Sequence, residues 1–436
     1  MRITIVGAGI GGLATATSLH AAGFEDVTVF EAAPRPRPPG FGLNVLPNAV
    51  RELAELGLLE ALRRRAVRTR ELVLCTPRGR LVWREDRGLA AGYRWPQLSL
   101  SHAHLHAVLE EEVRRRLGDG ALVTGARFTG LDDGPGGTRA VFAYEGGATR
   151  AVETDVLVGA DGIHSAVRAS FYPAEGPPLG NGVTMHRGTV WGRGFLTGSS
   201  MTVLGDDRRR LVLYPIERDE ATGRCLVNWV AAAPDAPEAP GSPAGGRSPA
   251  DVAGMRRYLL REFGGWSPPD VDLGRLFADT ERIHRYPMAD RDPLPRWTFG
   301  RTTLLGDAAH AMYPAGSNGA TQAVVDARVL ARHLAMCSDP ADALRAYEAD
   351  RLPQMTELQR SNRSMGPEKV LTLAHQRAPQ GFERIEDVFG AEELAEISRG
   401  YAATGKFDQD WVNSRPTLSV GPRRRPAVRR EKGSAE

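Results

Sequence analysis

The sequence predicts an α/β fold, in which a Rossmann-like dinucleotide-binding domain carries an inserted antiparallel-sheet domain and is followed by C-terminal helices. Three observations predict this fold. A glycine-rich turn separates an apolar strand from a helix within the first 31 residues. Two later apolar strands each end in an aspartate beside a glycine, and a middle region of strands carries large aromatic side chains. The 436 residues fit two domains of roughly 150 to 250 residues each.

The composition is that of an ordinary globular protein. Apolar residues make up 42% of the chain and charged residues 25%, and the formal net charge is +3. Basic residues are spread out rather than gathered with aromatics, which argues against a nucleic-acid partner. The exception is a basic tail that we interpret as a solvated terminus. Its arginines are Arg423, Arg424, Arg425, Arg429 and Arg430.

The cysteines and the apolar runs bear on the compartment. Cys75, Cys225 and Cys337 lie far apart without a CxxC pattern, so the sequence predicts neither a disulfide framework nor a zinc site. No run of about 18 apolar residues indicates a membrane span. The first predicted strand begins at Arg2 or Ile3, which leaves no room for a signal peptide. We therefore expect a soluble cytoplasmic protein without a membrane partner, and a homodimer is open to it.

The first elements predict a βαβ unit. Residues 2–6 predict a buried strand, residues 7–12 a glycine-rich turn, residues 13–22 a helix that Gly23 ends, and residues 27–31 a second strand.

The spacing of apolar residues and the positions of turn-forming residues predict the remaining elements. Helices are predicted at 48–65, 103–117, 249–263, 319–336, 341–361 and 391–398. Strands are predicted at 71–75, 80–83, 121–129, 139–144, 155–159 and 302–305, and further strands within 182–230. Loops are predicted at 35–39, 234–249 and 306–318. We assign 1–75, 98–180 and 283–365 to the dinucleotide-binding domain, 76–97 and 181–282 to the inserted domain, and 366–436 to a C-terminal helical segment with the basic tail.

The glycines of the first turn indicate a dinucleotide. Gly7, Gly9 and Gly12 stand between a strand and a helix, where missing side chains let a pyrophosphate approach the backbone amides at the positive helix end. Glu31 closes the second strand about 20 residues on, where its carboxylate can accept hydrogen bonds from the adenosine ribose. A glycine-rich turn that binds no ligand is the alternative.

Two later motifs distinguish flavin enzymes from nicotinamide dehydrogenases. They are DVLVGADGIHSAVR at 155–168 and GRTTLLGDAAHAMYPAGSNGA at 300–320. Each is a short apolar strand that delivers an aspartate next to a glycine. At Asp307, a strand-end carboxylate can accept hydrogen bonds from sugar-alcohol hydroxyls, as a ribityl chain would require.

In this order and at this spacing, the three motifs resemble those of the class A flavoprotein aromatic hydroxylases, the p-hydroxybenzoate hydroxylase type, over residues 1–365. Within that family the chain is most similar to the phenazine monooxygenase branch, which acts on 5-methylphenazine-1-carboxylate. The stretches LPNAVRELAELGL, TMHRGTV, LVNWV, YPMADRDPLP and LLGDAAHAMYPAGSNGATQA carry this similarity. The resemblance implies hydroxylation of a phenolic, carboxylated or phenazine-like aromatic through a flavin C4a-hydroperoxide. FAD, NADH or NADPH, and O2 are the implied cofactor and co-substrates.

The resemblance also implies which residues hold the flavin. The ADP half would contact Gly9, Gly12 and Glu31, and the isoalloxazine would lie beside Gly42 and Leu43. The complete set of predicted cofactor contacts is Gly7, Gly9, Gly12, Glu31, Arg37, Gly42, Leu43, His102, Asp161, Gly162, Gly306, Asp307, Pro314, Asn318, Gly319 and Ala320.

One position departs from the family pattern. Relatives usually have an arginine where this chain has His102, and that arginine helps to hold the flavin pyrophosphate. The departure predicts weaker FAD binding or a donor role for His102. His102, His104 and His106 alternate, but such positions on a helix point about 200° apart, so no metal site is predicted.

A helix N-terminus is predicted at the flavin ring. Free amides of the helix that starts at Asn318 or Gly319 would supply positive potential at the pyrimidine edge, where negative charge accumulates on reduction. Pro314 and Gly316 are catalytic candidates because they would let the loop backbone lie close to the site of oxygen activation. Only one GxGxxG unit exists, so the resemblance implies a flavin that swings outward to meet NAD(P)H.

The substrate wall is predicted from the middle strands and the flavin loop. Tyr214 and His186 could polarise or deprotonate a phenol, and Arg187 could bind a carboxylate or brace the sheet. The candidate contacts are His186, Arg187, Tyr214, Trp229, Met312 and Tyr313. Each of these residue types is also common in a core. The alternatives are an oxidase, epoxidase or halide-using flavoenzyme of the same fold, or a binding protein that has lost its cofactor.

Overall fold

The computed structural model describes residues 1–36, 40–134, 137–235 and 249–421. The predicted cofactor contact Arg37 and the basic tail from Arg423 onward lie outside the described residues. The strands are β1 (Ile3–Val6), β2 (Val27–Glu31), β3 (Gly42–Val45), β4 (Val67–Thr69), β5 (Glu71–Cys75), β6 (Leu81–Asp86), β7 (Gln97–Ser101), β8 (Leu122–Thr124), β9 (Ala126–Gly134), β10 (Gly137–Tyr144), β11 (Thr149–Thr154), β12 (Val156–Gly159), β13 (Leu179–Arg193), β14 (Ser200–Gly205), β15 (Arg210–Arg218), β16 (Arg224–Pro234), β17 (His284–Asp290), β18 (Thr298–Phe299) and β19 (Thr302–Leu304). The helices are α1 (Ile10–Ala21), α2 (Pro47–Glu55), α3 (Leu59–Arg63), α4 (His102–Leu117), α5 (Ala166–Phe171), α6 (Pro249–Phe263), α7 (Leu273–Asp279), α8 (Asp307–His310), α9 (Asn318–Met336), α10 (Pro340–Arg363), α11 (Lys369–Arg377), α12 (Ala391–Thr404) and α13 (Gln409–Ser414).

A six-stranded sheet in the order β18-β19-β12-β1-β2-β8 forms the Rossmann-like part. The pairings among β19, β12, β1, β2 and β8 are all parallel, and only β18 runs antiparallel to its neighbour. β1 (ITIV) and β12 (VLVG) are buried along their whole length, as expected for central parallel strands. The predicted α/β class and the leading βαβ unit are confirmed.

A seven-stranded, mostly antiparallel sheet in the order β17-β13-β16-β15-β14-β5-β6 forms the inserted part. β13, β16 and β15 pair antiparallel over long registers, as the aromatic strand pattern predicted. β5 was assigned to the dinucleotide-binding domain, yet it pairs parallel with β14 of this sheet. β5 therefore belongs to the same sheet as the inserted strands. The division of the chain into domains stays a prediction.

Two smaller sheets, β11-β10-β9 and β3-β7-β4, contain the other strands found in the described residues. β11 was not predicted, because its sequence TRAVET is largely exposed and shows no apolar alternation. The single helix predicted at 48–65 is two helices, α2 and α3. Gly57 between them has a φ of 78°, a left-handed conformation that ends the first helix.

The C-terminal helices pack against the seven-stranded sheet. Val370 and Leu371 on α11 and Leu394 on α12 are buried in one apolar cluster with Leu72 of β5 and Val203 of β14. α11 and α13 were not predicted, and the helix predicted at 391–398 continues to Thr404. The segment after α10 is therefore built into the fold beside the interface of the two large sheets.

Two absences hold for the part of the chain that the structure describes. No helix there is both long and apolar enough to cross a membrane. No group of three or more His, Cys, Asp or Glu side chains there is arranged to hold a metal ion.

Candidate active site

A cavity of about 430 Å³ lies where the six-stranded sheet meets the seven-stranded sheet. Its walls combine the glycine-rich turn, the loop into β3, the turn after β12, the segment from Gly306 into α9, and one face of the large sheet. Of the predicted site residues, the cavity is lined by Gly9, Gly42, Leu43, His102, Gly162, Arg187, Tyr214, Gly306, Asp307, Met312, Tyr313, Pro314, Asn318, Gly319 and Ala320.

The three glycines of the first turn have different roles. Gly7 has a φ of 101°, and a Cβ there would lie 2.5 Å from the carbonyl oxygen of Ala160. A Cβ at Gly12 would overlap the carbonyl oxygen of Gly7, so these two glycines allow the helix and strands to pack closely. A Cβ at Gly9 would meet nothing within 4 Å, and Gly9 faces the cavity. The open side of the turn therefore has room for a phosphate group.

Glu31 is held beside this turn by backbone donors. Its Oε2 accepts from the amide of Ala8 at 2.9 Å, and its Oε1 accepts from the amide of Ala33 at 2.8 Å. The side chain is only half-buried, so both oxygens keep lone pairs for further donors. Glu31 does not line the cavity, and its predicted ribose contact stays a prediction.

His102 presents an unsatisfied polar atom at the cavity wall. Its Nδ1 is buried and has no hydrogen-bond partner among the described residues. Burial lowers the pKa of His102 to about 4, with smaller contributions from His106 and Arg187, so the ring is neutral at neutral pH. The neighbouring histidines point elsewhere: His104 Nε2 contacts the carbonyl of Leu62, and His106 Nε2 contacts the carbonyl of Ala8.

Asp161 and Gly162 were both predicted to contact the cofactor, but only Gly162 lines the cavity. The Asp161 carboxylate accepts from Ser165 Oγ and from the amides of Ala166 and Val167, so it stabilises the start of α5 and does not line the cavity. Gly162, with a φ of 78°, does line it. The carboxylate therefore shapes the turn, and only the glycine is in reach of a ligand.

Asp307 has an accessible carboxylate inside the cavity. It stands in the first turn of α8, and no group in the described ranges hydrogen-bonds to its side chain. Although the side chain is open to the cavity, the surrounding protein desolvates it and raises its pKa. A carboxylate in this position has its hydrogen-bonding capacity free for a hydroxyl-bearing ligand.

A buried ion-pair network lies directly behind Gly306 and Asp307. Asp326 on α9 accepts from His310 Nε2 at 2.6 Å, from Arg351 Nε at 2.7 Å and from the Gly306 amide at 3.1 Å. Burial alone would raise the pKa of Asp326, but His310 and Arg351 lower it to about 2. Sequence reasoning missed this network, although an aspartate within the apolar stretch AVVDARVL was a signal for it.

A second part of the network holds the loop before α9. Gln322 Nε2 donates to Asn318 Oδ1 at 2.9 Å, and Asn318 Nδ2 donates to Tyr401 Oη at 2.8 Å. Tyr401 Oη donates in turn to Asn362 Oδ1, and Asn362 Nδ2 donates to the carbonyl of Tyr313. The outer side of the loop is thus fixed by α10 and α12, while its inner side faces the cavity.

The N-terminus of α9 points at the cavity. Ser317, Asn318, Gly319 and Ala320 all line it, and a Cβ at Gly319 would meet nothing within 4 Å. The free amides of a first helical turn carry partial positive charge. Gly316 does not line the cavity; it faces Tyr401 instead.

Two predicted substrate contacts lie on the face of the seven-stranded sheet that points away from the cavity. Side chains alternate along β13, so Met185 and Arg187 face the cavity while His186 lies on the other face, 5.1 Å from the ring of Tyr258. Trp229 is also on that other face, where its indole N–H donates to Thr280 Oγ1 at 2.9 Å. His186 and Trp229 are therefore core residues, and their predicted roles at the substrate are wrong.

Arg187 and Tyr214 remain in the cavity wall, close to the loop into β3. The Arg187 guanidinium lies 5.0 Å from the centre of the Phe41 ring, and its Nε is buried without a partner among the described residues. Burial lowers the pKa of Arg187 and raises that of Tyr214 to about 12, so the phenol is neutral. Gly42 donates its amide to Asn228 Oδ1 at 2.7 Å.

The cavity also contains residues that sequence reasoning missed. Arg210 on β15, Met201 on β14, and Met365 and Glu368 after α10 all line it. Met365 and Glu368 lie beyond the last recognised motif, so only burial of the C-terminal segment brings them to the site.

This arrangement is that of an FAD-binding protein. The FAD binding domain family model matches residues 1–177 and 269–361, and the chain belongs to that family. Its residues fit the cofactor, since Gly9 and Gly319 leave open space, His102 Nδ1 lacks a partner and the Asp307 carboxylate is free.

Similar proteins narrow the class further. The chain is 44% identical over 388 residues to phenazine 1,6-dicarboxylic acid hydroxylase of Lysobacter antibioticus, covering 85% of this chain and 94% of that one. It is 36% identical over 400 residues to a 3-amino-4-hydroxybenzoate 2-monooxygenase of Streptomyces platensis, covering 88% and 94%. The structure of Klebsiella pneumoniae HpxO with FAD and uric acid superposes with a TM-score of 0.69 at 26% identity, covering 95% and 97%.

The class is therefore established. The chain is an FAD-dependent monooxygenase that hydroxylates an aromatic compound, with NAD(P)H and O2 as co-substrates. Neither the oxidase or epoxidase alternative nor the cofactor-free binding protein is favoured.

Proposed function

We propose that this enzyme hydroxylates a planar, fused-ring aromatic carboxylate of the phenazine class, and that Arg187 binds the substrate carboxylate. The Arg187 guanidinium carries the proposal, because it lines the cavity and its buried Nε has no hydrogen-bond partner among the described residues. The hydroxylase of Lysobacter antibioticus, which is named for a phenazine dicarboxylic acid, supports the ring system. A homodimer and a cytoplasmic location stay predictions.

The shape of the sheet wall favours a flat apolar ring. The cavity wall around Arg187 and Tyr214 is built from apolar side chains, several of them methionines. Methionine side chains adapt to a flat ring and contact aromatic faces favourably. The apolar side chains in question are Met185, Met201, Val212, Val230, Ala232 and Met288.

The charge of Arg187 favours an anionic ring substituent. A desolvated guanidinium is costly unless an anion pairs with it, and no carboxylate pairs with Arg187 in the described ranges. Its fork of donors fits a carboxylate in a bidentate manner. The Phe41 ring, which also lines the cavity, contacts the guanidinium by a cation–π interaction. Arg187 is therefore preorganised for a carboxylate.

The cofactor contacts predicted from the resemblance belong to the same proposal. When bound, FAD supplies the activation of O2 that hydroxylation requires. Asp307 would accept from the ribityl hydroxyls and Glu31 from the ribose, while His102 would donate to the pyrophosphate. The amides at the start of α9 would stabilise negative charge on the flavin ring. Tyr214, a neutral donor, would orient a polar substituent of the substrate.

A matched pair of compounds tests the carboxylate contact. Phenazine-1-carboxylate and phenazine-1-carboxamide have the same shape and differ in charge. We expect kcat/KM for formation of the hydroxylated product to be about 10- to 100-fold higher for the carboxylate, because a hydrogen bond to a charged group stabilises binding by about this factor. Arg187→Met should remove this preference. Arg193→Met, on the exposed end of the same strand, is the control and should keep it.

Two results would contradict the proposal. One is equal turnover of the acid and the amide by the natural enzyme. The other is a preference for the acid that survives Arg187→Met.

A further inference from the structure

The cavity wall contains a carboxyl group and a guanidinium group, those of Glu368 and Arg210, that lie outside the recognised motifs. Glu368 ends a single 3-10 turn, Gly366–Glu368, after α10, and the family match stops at residue 361. Its side chain is buried, and it lines the same cavity as Arg187 and Pro314. The C-terminal segment therefore adds a carboxyl group to the active-site cavity.

The position of Glu368 is fixed by the loop between α8 and α9 and by the seven-stranded sheet. The backbone of Gly316 hydrogen-bonds to its carboxyl group, and Arg210 on β15 interacts with it electrostatically. Arg210 itself donates to the carbonyls of Asp206 and Arg209 and to Thr372 Oγ1, the last at 2.5 Å. The carboxyl group is thus anchored between the loop at the flavin site and the strand that forms the substrate wall.

Aromatic hydroxylation requires a proton acceptor. When oxygen is added to a ring carbon that bears hydrogen, the C–H bond of that carbon must break, its electron pair must return to the ring and the proton must leave. Among the described residues that line the cavity, the carboxyl groups are Asp307 and Glu368. Asp307 lies at the first turn of α8 on the cofactor side, whereas Glu368 lies between the loop and the substrate wall.

We infer that Glu368 is a catalytic base, whose carboxylate takes the proton that leaves the hydroxylated ring carbon and returns it to water before the next turnover. The phenol of Tyr214 and the neutral ring of His102 are poorly matched to this role, because their pKa values lie far above and far below neutral pH. The inference concerns any aromatic substrate that loses a ring hydrogen, and it does not depend on the phenazine proposal.

The surroundings of Glu368 determine how its charge depends on pH. Burial raises the pKa of Glu368 to about 7, although Arg210 and the Gly316 backbone oppose the shift. The charged and titratable groups on the elements around it include Arg210 on β15, Tyr401 on α12, Arg87 after β6, Arg363 on α10, and Lys369 and His375 on α11. Asp206 and Asp207 act on Arg210 from the turn before β15. Arg363 is paired with Asp290 and Asp292, His375 with Asp207, and Arg87 with Glu85.

The sign of the pH effect follows. Below pH 7 the carboxyl group holds a proton and cannot accept another, and above pH 7 it is a carboxylate. Turnover should therefore rise with pH through about 7. Glu368→Gln keeps the size of the side chain and a carbonyl acceptor for Gly316 but cannot titrate, so it should remove this limb of the profile.

The experiment compares the natural enzyme with Glu368→Gln, Glu368→Asp and the exposed control Glu396→Gln. The substrate is phenazine-1-carboxylate or 3-amino-4-hydroxybenzoate, whichever gives hydroxylated product, with and without deuterium at the reacting carbon. Failure of the phenazine proposal thus leaves this test intact. FAD content shows that each variant is folded and loaded.

We expect Glu368→Gln to lower kcat about 100-fold, as for loss of a general base. It should also flatten the pH profile and reveal a primary deuterium isotope effect that the natural enzyme does not show. Glu368→Asp should recover part of the rate, and Glu396→Gln should match the natural enzyme. The inference is overturned if Glu368→Gln keeps the natural rate and profile, or if it slows turnover equally at every pH without an isotope effect, as a structural role would.

Discussion

Tyr401 on α12 occupies the space beside Gly316, which lies in the loop between α8 and α9. A Cβ at Gly316 would overlap the Tyr401 hydroxyl and ring, and Gly316 also has a φ of 64°. The Tyr401 hydroxyl hydrogen-bonds to Asn318 at the start of α9 and to Asn362 on α10, whose amide group in turn donates to the carbonyl of Tyr313 in this loop. A helix from the C-terminal segment therefore sets the conformation of a loop whose other side lines the active site.

Gly316→Ala should disturb this contact. The methyl group overlaps Tyr401, and the left-handed conformation costs an L-residue about 1 to 2 kcal/mol. We expect lower stability together with weaker FAD retention, measured by thermal unfolding and by flavin release on dilution. Gly300→Ala is the control, because Gly300 has a φ of 56° but open space around it. If Gly316→Ala loses no more flavin than Gly300→Ala, Tyr401 does not determine the conformation of the loop.

Gly319→Asp should slow flavin reduction or uncouple it from hydroxylation. The new carboxylate would stand at the N-terminus of α9, where it would neutralise the positive potential and repel negative charge on the flavin. We expect reduction by NAD(P)H to slow about 10-fold, equivalent to about 1.4 kcal/mol. Stopped-flow absorbance measures the rate, and the uncharged Gly319→Asn controls for size. Natural rates and coupling in Gly319→Asp would contradict the role of the helix.

His102→Arg should tighten FAD binding. The neutral ring of His102 offers at most one donor, whereas arginine would add a permanent charge at the proposed pyrophosphate contact. We expect the dissociation constant to fall about 10-fold, measured by fluorescence titration of the apoprotein. His104→Arg places the same charge two residues away, where the native ring contacts the carbonyl of Leu62, and should not have this effect. An unchanged constant in His102→Arg would argue against the pyrophosphate contact.

Asp326→Asn should destabilise the fold strongly. It leaves the buried Arg351 charge without its carboxylate, a loss of about 3 to 5 kcal/mol in the free energy of unfolding. Asp350→Asn breaks the exposed pair with His333 and should cost at most about 1 kcal/mol. Denaturant titration of both variants makes the comparison, and equal losses would exclude a structural role for the buried network.

The pH dependence of stability provides a second test of the role of Asp326. The pKa of Asp326 is lowered to about 2 in the folded protein. Its contribution is therefore fully present above its unfolded pKa of about 4 and is lost as pH falls through about 2. The difference in stability between the natural protein and Asp326→Asn should shrink over that window.

The fold and the convergence of most predicted cofactor residues on one cavity could be predicted because their signals are local. Gly9, Gly162 and Asp307 each belong to a strand followed by a turn, and a strand that ends in a glycine-rich turn places those residues at one sheet edge. The helix after Asn318 follows from a continuous apolar period. These patterns need no information from distant parts of the chain.

The substrate side could be predicted only in part. Alternation along β13 already meant that His186 and Arg187 face opposite sides, but which side faces the cavity depends on how the large sheet packs. Glu368 and Tyr401 reach the site from the C-terminal segment, which carries no motif. Their roles depend on long-range packing, so no local pattern indicated them.

An experiment with labelled oxygen tests whether this chain transfers an oxygen atom from O2 to a carboxylated fused-ring aromatic. Purified enzyme with FAD, NAD(P)H and phenazine-1-carboxylate is incubated under 18O2, and the product is analysed by mass spectrometry. We predict a hydroxylated phenazine in which the new oxygen is 18O. Consumption of NAD(P)H without a labelled phenazine product, or label that comes only from water, would show that the enzyme does not hydroxylate this ring with O2.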